Sequence, residues 1–191
     1  RFDAPLDMRM NKRGGMTAAD VVNDYSEEQL ASVLYLYGEL RQSRAMARAL
    51  TTARTASPIT TIGRLTEVLT PLCGRDKEKK DLSRAFQALR IEVNHELDAL
   101  RCLLADATHL LRQGGRLAVL TYHSLEDRLV KNYMRSGNFD GHIEKDFYGN
   151  TVCPLKAEKA QQPTTEEVSI NPRARSARLR VATKISEDTN A

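Results

Sequence analysis

Tryptophan is missing, and aromatic residues make up only 5% of the 191-residue sequence. A sheet that stacks bases on exposed rings, of the RNA-recognition-motif type, is therefore disfavoured. Cysteine occurs three times, as Cys73, Cys102 and Cys153, far apart in the chain. That number and spacing form neither a disulfide framework nor a metal knuckle, and they point to a reducing, cytoplasmic setting. No apolar run reaches the length needed to span a bilayer and nothing reads as a secretory signal, so no membrane role is expected. Walker, GxSxG, HExxH, CxxC and GxGxxG patterns are all missing. Methionine does not stand first; the chain opens on Arg1, so the expectation is a sequence that starts inside a longer one.

What is present is enough apolar residue (41%) for a core, 28% charged residues and a net charge of +4. So small a net charge says little about partners; its distribution must decide. Residues 1–15 read as an ordered loop in which Asp7 and Arg9 face one side and can pair. Helical signals follow: Thr17 capping 18–23, and a Ser26 capping box before Leu30, Val33 and Leu34. Gly38 predicts a break. A basic helix over 39–54 then places Arg41, Arg44 and Arg48 on one face, either as a solvated surface or as a contact for RNA phosphates. Thr60 or Thr61 caps a further helix ending at Cys73-Gly74, and 75–80 reads as a charged loop. The apolar residues Phe86, Leu89, Val93, Leu97, Leu100, Leu104, Ala107 and Leu111 recur at steps of three and four, predicting one long helix from about Ser83 to Arg112. Asn94 and His95 read as ordinary surface residues of that helix.

The stretch from Thr121 to Arg128 (TYHSLEDR) carries the densest chemistry. A turn and a short buried strand over 114–120 precede it and a helix over 125–134 follows. Ligands of open α/β sheets bind outside the carboxyl ends of strands, which makes this the expected functional edge. Ser124 is also a good helix N-cap, with Asp127 three residues on. A short strand is expected near 143–148, and a last one from Ala177. Arg173, Arg175, Arg178, Arg180 and Lys184 form the most concentrated positive segment. It reads either as an edge strand protected by charge or as a phosphate contact. The polar residues from Ser186 read as a frayed tail.

Four segments together resemble one family: PLDMRM over Pro5 to Met10, FQALRIEVN over Phe86 to Asn94, HSLEDR over His123 to Arg128 and NPRARS over Asn171 to Ser176. They are similar to the bacterial small-subunit rRNA methyltransferase H (MraW) family, over residues 1 to about 184. The resemblance implies S-adenosylmethionine-dependent methylation of N4 of a cytidine in 16S rRNA, with no metal. It implies an α/β fold: the C-terminal part of a class I, Rossmann-like methyltransferase sheet with an inserted all-helical subdomain. On that view 1–15 is an active-site loop, 16–82 the inserted helices, 83–185 the C-terminal half of the methyltransferase domain, and 186–191 a tail.

The family's glycine-rich loop and cofactor-binding acids do not match any residue here. No cofactor-binding residue is therefore assigned, and the chain alone is expected to bind S-adenosylmethionine poorly and not to methylate. Asp7, His123 and Ser124 are the substrate-pocket candidates. Arg9, Arg173, Arg175 and Arg178 are the candidates for RNA contact. The alternative is a non-catalytic helical module that binds RNA or protein. The expected partner is 16S rRNA, and an incomplete sheet would favour a homodimer or marginal stability.

Overall fold

Side-chain oxygens start the first two helices. Thr17 accepts from Asp20 N at the head of α1 (Ala18–Asp24), and the Asp20 carboxylate accepts from Thr17 N in return. Ser26 and Gln29 make the same reciprocal cap at α2 (Glu27–Leu36). Each such cap satisfies donors that a helix terminus leaves open. Then come α3 (Ser43–Ala56), α4 (Ile62–Leu69), capped by Thr61, and α5 (Glu78–Asn94). The structure is a computed structural model describing residues 3–185. The chain divides into two compact units, Arg1–Glu96 and Leu97–Ala191. The expected tail, 186–191, lies outside the described residues.

The first unit is helical. Leu30, Leu34, Leu50, Leu65, Leu69 and Leu89 share one core, with no exposed surface. Each fully buried leucine stabilises by about 1.5–3 kcal/mol through loss of apolar contact with water. The loop before α1 is stitched into this core. Leu6 is buried, its N–H donates to Thr60 O (2.9 Å), and its carbonyl accepts from Ala19 N (2.8 Å). Gly38 turns the chain after α2: a Cβ there would sit 2.6 Å from the Leu34 carbonyl oxygen. The charged stretch 75–80 is only partly loop, because α5 already begins at Glu78. Asp81 is buried there and accepts from Gly74 N and Gln42 Nε2.

The expected long helix is two helices. His95 takes a left-handed conformation (φ 49°, ψ 40°), ending α5, and α6 (Glu96–Leu110) starts beyond it. Arg90 reaches Glu96 across the break with a bidentate pair of 2.7 and 3.0 Å. The apolar spacing hides this break, since Val93 and Leu97 keep a step of four through it.

The second unit places α6 and α7 (Ser124–Ser136) with a small sheet: β1 (Arg116–Thr121), β2 (Leu155–Ala157) and β3 (Arg178–Lys184). A short α8 (Thr165–Ile170) and a 3-10 turn (Pro172–Ser176) lead into β3. With these the described residues hold eight α-helices and a mixed α/β content. The strand order is β1-β3-β2 and both pairings are antiparallel. β3 is central, which removes the edge-strand reading of its charges. No strand forms near 143–148; a single bridge, Lys145 to Thr151, closes a turn organised by Asp146.

Register decides which face of β3 meets the helices. Arg178, Arg180, Ala182 and Lys184 stand opposite Thr121, Val119, Leu117 and Leu155. Paired residues share a sheet face. Ala182, Leu117, Val119 and Leu155 pack with Leu104 of α6 and Leu129, Val130 and Tyr133 of α7. The basic residues of β3 therefore lie on the helix-covered face. Lys184 is 4% exposed and its Nζ donates to Thr108 O in the last turn of α6 (2.8 Å).

His95→Gly should leave stability unchanged or raise it, because glycine adopts the left-handed region freely. His95→Val should cost about 1–2 kcal/mol in urea unfolding, by the steric penalty of that conformation for a branched side chain. Equal midpoints for the two variants would show that the break does not depend on the His95 backbone.

Candidate functional site

In the first unit, Asp7 and Arg9 form the local pair their spacing suggested. Arg9 donates Nε to Asp7 Oδ1 (2.7 Å) and Nη2 to Oδ2 (3.1 Å), while its backbone N–H also reaches Oδ1 (3.2 Å). Hydrogen bonding from Arg9 holds the Asp7 carboxyl below its ordinary range. Arg9 also donates Nη1 to Gly15 O, so its guanidinium is taken up within the loop. Met8 between them has φ 60°.

Asn94 holds that conformation. Its Nδ2 donates to Met8 O (2.9 Å) and its Oδ1 accepts from Met10 N (2.8 Å). A residue expected to be ordinary helix surface is thus a clamp on the Asp7 loop. Two sequence segments that carry the resemblance, about eighty residues apart, meet here. Nearby, Tyr25 donates its hydroxyl to Glu92 (2.7 Å), and burial together with that acid pushes its pKa up to about 12.

In the second unit, the carboxyl end of β1 runs into the N-terminus of α7. The N-cap is His123, not Ser124: His123 Nδ1 accepts from Glu126 N (3.4 Å), and the Glu126 carboxylate accepts from His123 N (3.4 Å) and from Tyr122 N (2.9 Å). Ser124 is then the first helical residue. Imidazole can replace a hydroxyl as cap because one ring nitrogen of the neutral form is an acceptor. The other ring nitrogen, Nε2, is buried and 3.3 Å from Glu126 Oε1 without the alignment of a hydrogen bond. Burial alone would raise the Glu126 carboxyl, but hydrogen bonds from His123 and Tyr122 outweigh it and lower it.

Asp127, one residue further, receives β3. Arg180 donates Nε to Oδ1 (2.7 Å) and Nη2 to Oδ2 (3.0 Å), with both side chains less than a fifth exposed. Arg178 lies beside them, 3.9 Å from Oδ2. Burial would raise the Asp127 carboxyl; the hydrogen bonds and charge of Arg180, helped by Arg178 and Lys131, lower it instead. Arg173 and Arg175 are exposed on the 3-10 turn before β3, and no described acid pairs with them. The structure thus joins Asp7 with Arg9 in one unit. In the other it joins His123, Ser124 and Arg178 at one end of the sheet. Arg180 belongs to this second group, and the sequence marked it only as part of a basic run.

Comparison with known proteins supplies a class. A family model described as the MraW methylase family matches residues 1–185. The chain belongs to the MraW methylase family. It is 56% identical over 186 residues to the ribosomal RNA small subunit methyltransferase H of Bacteroides thetaiotaomicron, covering 96% of this chain and 61% of that protein. The proteins of the same name from Parabacteroides distasonis (57% over 187 residues; 97% and 61% covered) and Cytophaga hutchinsonii (52% over 183; 95% and 61%) are similar too. The chain spans about three fifths of the length of these curated relatives.

MraW methylases are methyltransferases by name, so S-adenosylmethionine is the cofactor to test for fit. A nucleoside cofactor on such a sheet needs a glycine-rich turn after a strand and a free acid for its ribose. In the second unit Gly114 and Gly115 precede β1 rather than follow it. The acids past its carboxyl end, Glu126 and Asp127, are occupied by the cap and by Arg180. Among the described residues of this unit that cradle is not formed, and no step is derived through the cofactor.

Asp127→Asn should destabilise the chain by about 2 kcal/mol at pH 7, since it leaves Arg180 half-buried without its counter-charge. A carboxyl held below its unfolded value contributes stability above that value and loses it as pH falls through the folded one. The gap between wild type and Asp127→Asn in urea midpoint should therefore be full above about pH 4 and close at lower pH. A gap that stays constant down to pH 2 would mean the pair is electrostatically idle.

Proposed function

We propose that the full-length gene product methylates N4 of a cytidine in 16S rRNA, with S-adenosylmethionine as methyl donor and the cytoplasm as its setting. The observation that carries this reading is the family match over residues 1–185. The relatives' names, which specify ribosomal RNA of the small subunit, support the substrate. On this reading the fold is the C-terminal part of a class I methyltransferase. The helical residues 16–82, continuing into α5, are its inserted subdomain, and the antiparallel strands are the terminal edge of its sheet.

The exocyclic N4 of cytosine is a weak nucleophile because its lone pair is delocalised into the ring. The protein must hold the base out of its stack, in line with the methyl group, and offer acceptors to the N4 protons. Asp7 suits the acceptor role, since its carboxylate is 34% exposed and keeps lone pairs beyond those Arg9 takes, and Asn94 keeps its loop in one conformation. Arg9 is then a positioning residue before it is a phosphate contact. His123 and Ser124, at the carboxyl end of β1, are the base-orienting candidates of the second unit. Arg173, Arg175 and the less strongly paired Arg178 are its phosphate contacts.

The test is methyl transfer by the purified full-length protein to 30S subunits, read as N4-methylcytidine by nucleoside mass spectrometry. Asp7→Asn should lower kcat by about 10²-fold or more with folding unchanged. Arg173→Ala with Arg175→Ala should raise KM and spare kcat. Product methylated at another atom, or none, overturns the reading.

Self-association is a second proposal. Among the described strands, β1 pairs on one side only, leaving Arg116–Thr121 with an open edge. Sedimentation equilibrium of this chain should show a concentration-dependent dimer; a monomer at all concentrations overturns it.

A further inference from the structure

Between α2 and α3, inside the helical unit, runs a groove of about 740 Å³. We propose that it is a phosphate-binding site, and that the phosphate belongs to an RNA strand; the choice of RNA rests on the function proposed above.

The N-terminus of α3 opens on this groove. Its N-cap, Gln42, makes no side-chain cap. Ser43 N donates to Leu40 O and Met46 N to Gln42 O, while no described residue accepts from the N–H groups of Arg44 or Ala45. Two donors at the positive end of a 14-residue helix are therefore open. Ser43 lines the groove, is only 5% exposed, and its hydroxyl has no described partner. That hydroxyl is a further donor at the groove, beside the two open amides.

The charges agree. Arg41 and Arg44 line the groove and pair with no described acid. Arg44 sits in the first turn of α3, and that turn holds no acid to balance the helix dipole. By itself this placement is unfavourable; an anion reverses the sign. Glu27 and Glu28 also line the groove, but both are engaged. Glu28 accepts from the Ser26 hydroxyl (2.9 Å), and Glu27 from Arg48 and Thr51 (3.4 Å each).

A phosphodiester strand fits better than a free anion because Tyr35 lines the same groove with 62% of its surface exposed. A ring beside a phosphate site gives the neighbouring base a stacking face. The arginines contact the backbone and the ring takes any base, so the site positions a strand without reading its sequence.

The test uses the full-length protein with two probes. Inorganic phosphate, titrated at constant ionic strength, should shift the Arg44 and Ala45 amide resonances in wild type and not in Arg41→Ala/Arg44→Ala. A 12-nucleotide single-stranded RNA should bind the double variant with a salt slope smaller by about 1.4, at roughly 0.7 per lost phosphate contact. Tyr35→Leu should weaken RNA binding by about 10-fold and leave the phosphate shifts intact. Both arginines and Tyr35 are exposed, so unchanged melting is expected, and Ser43→Ala tests the hydroxyl separately. Amides that do not move, with an unchanged salt slope, overturn the site even when methyl transfer is normal. Shifts with RNA in a protein that methylates nothing support the site and sink the proposed activity instead. Shifts with polyglutamate but not with RNA overturn the RNA assignment in favour of an acidic protein partner.

Discussion

A strand that carries cations on its helix-covered face can fold only if the helices bring acceptors to them. That constraint governs the second unit. β3 places Arg178, Arg180 and Lys184 on the same face as Ala182, against the core shared with α6 and α7. Asp127 of α7 meets Arg180, and the Thr108 carbonyl at the end of α6 meets Lys184. Removing a charge from water costs several kcal/mol, and the cost is recovered only where hydrogen bonds are short and complete. The position of α7 on the sheet is thus tied to the charge pattern of a strand fifty residues later. The same tie fixes the end of the sheet at which His123 and Ser124 stand.

The first unit follows the same logic with a neutral group. Asn94 ends α5 and satisfies both a donor and an acceptor of the 8–10 loop. Its amide is the side chain for this task, since it offers both kinds of group from one planar end. The left-handed His95 immediately after it redirects the chain, so α5 can end where the loop needs a clamp. The Asp7–Arg9 pair is held by this arrangement as much as by its own charge. Two of the segments that carry the family resemblance meet in this one contact.

Much of the fold is legible in the residues alone. The caps at Thr17, Ser26 and Thr61 follow from local chemistry, because a side-chain oxygen and the N–H it accepts are three residues apart. The strand and helix around His123 follow from apolar runs, and the Asp7–Arg9 pair from a spacing of two. The sequence points to Ser124 as the cap, since hydroxyl capping is the commoner chemistry and Asp127 stands at a matching distance, whereas the structure caps α7 with His123. The long helix was misjudged because a stripe at steps of three and four survives a one-residue left-handed break. The groove beside α3 is visible in the sequence only as three arginines on one face, with no sign that an unpartnered serine hydroxyl and open amides lie among them.

The sequence by itself determined most of the helices, the strands before His123 and after Ala177, several caps, and a family resemblance carried by four separated motifs. These rest on contacts within a few residues, or on identity alone. The tertiary structure decided which face of β3 is inside, which acid serves Arg180, and that Asn94 is a clamp. An alternation of apolar and basic residues fits either face of a strand equally well, and a one-residue change of phase inverts it. Only packing against α6 and α7 breaks that symmetry, because only there do acceptors for the buried cations exist.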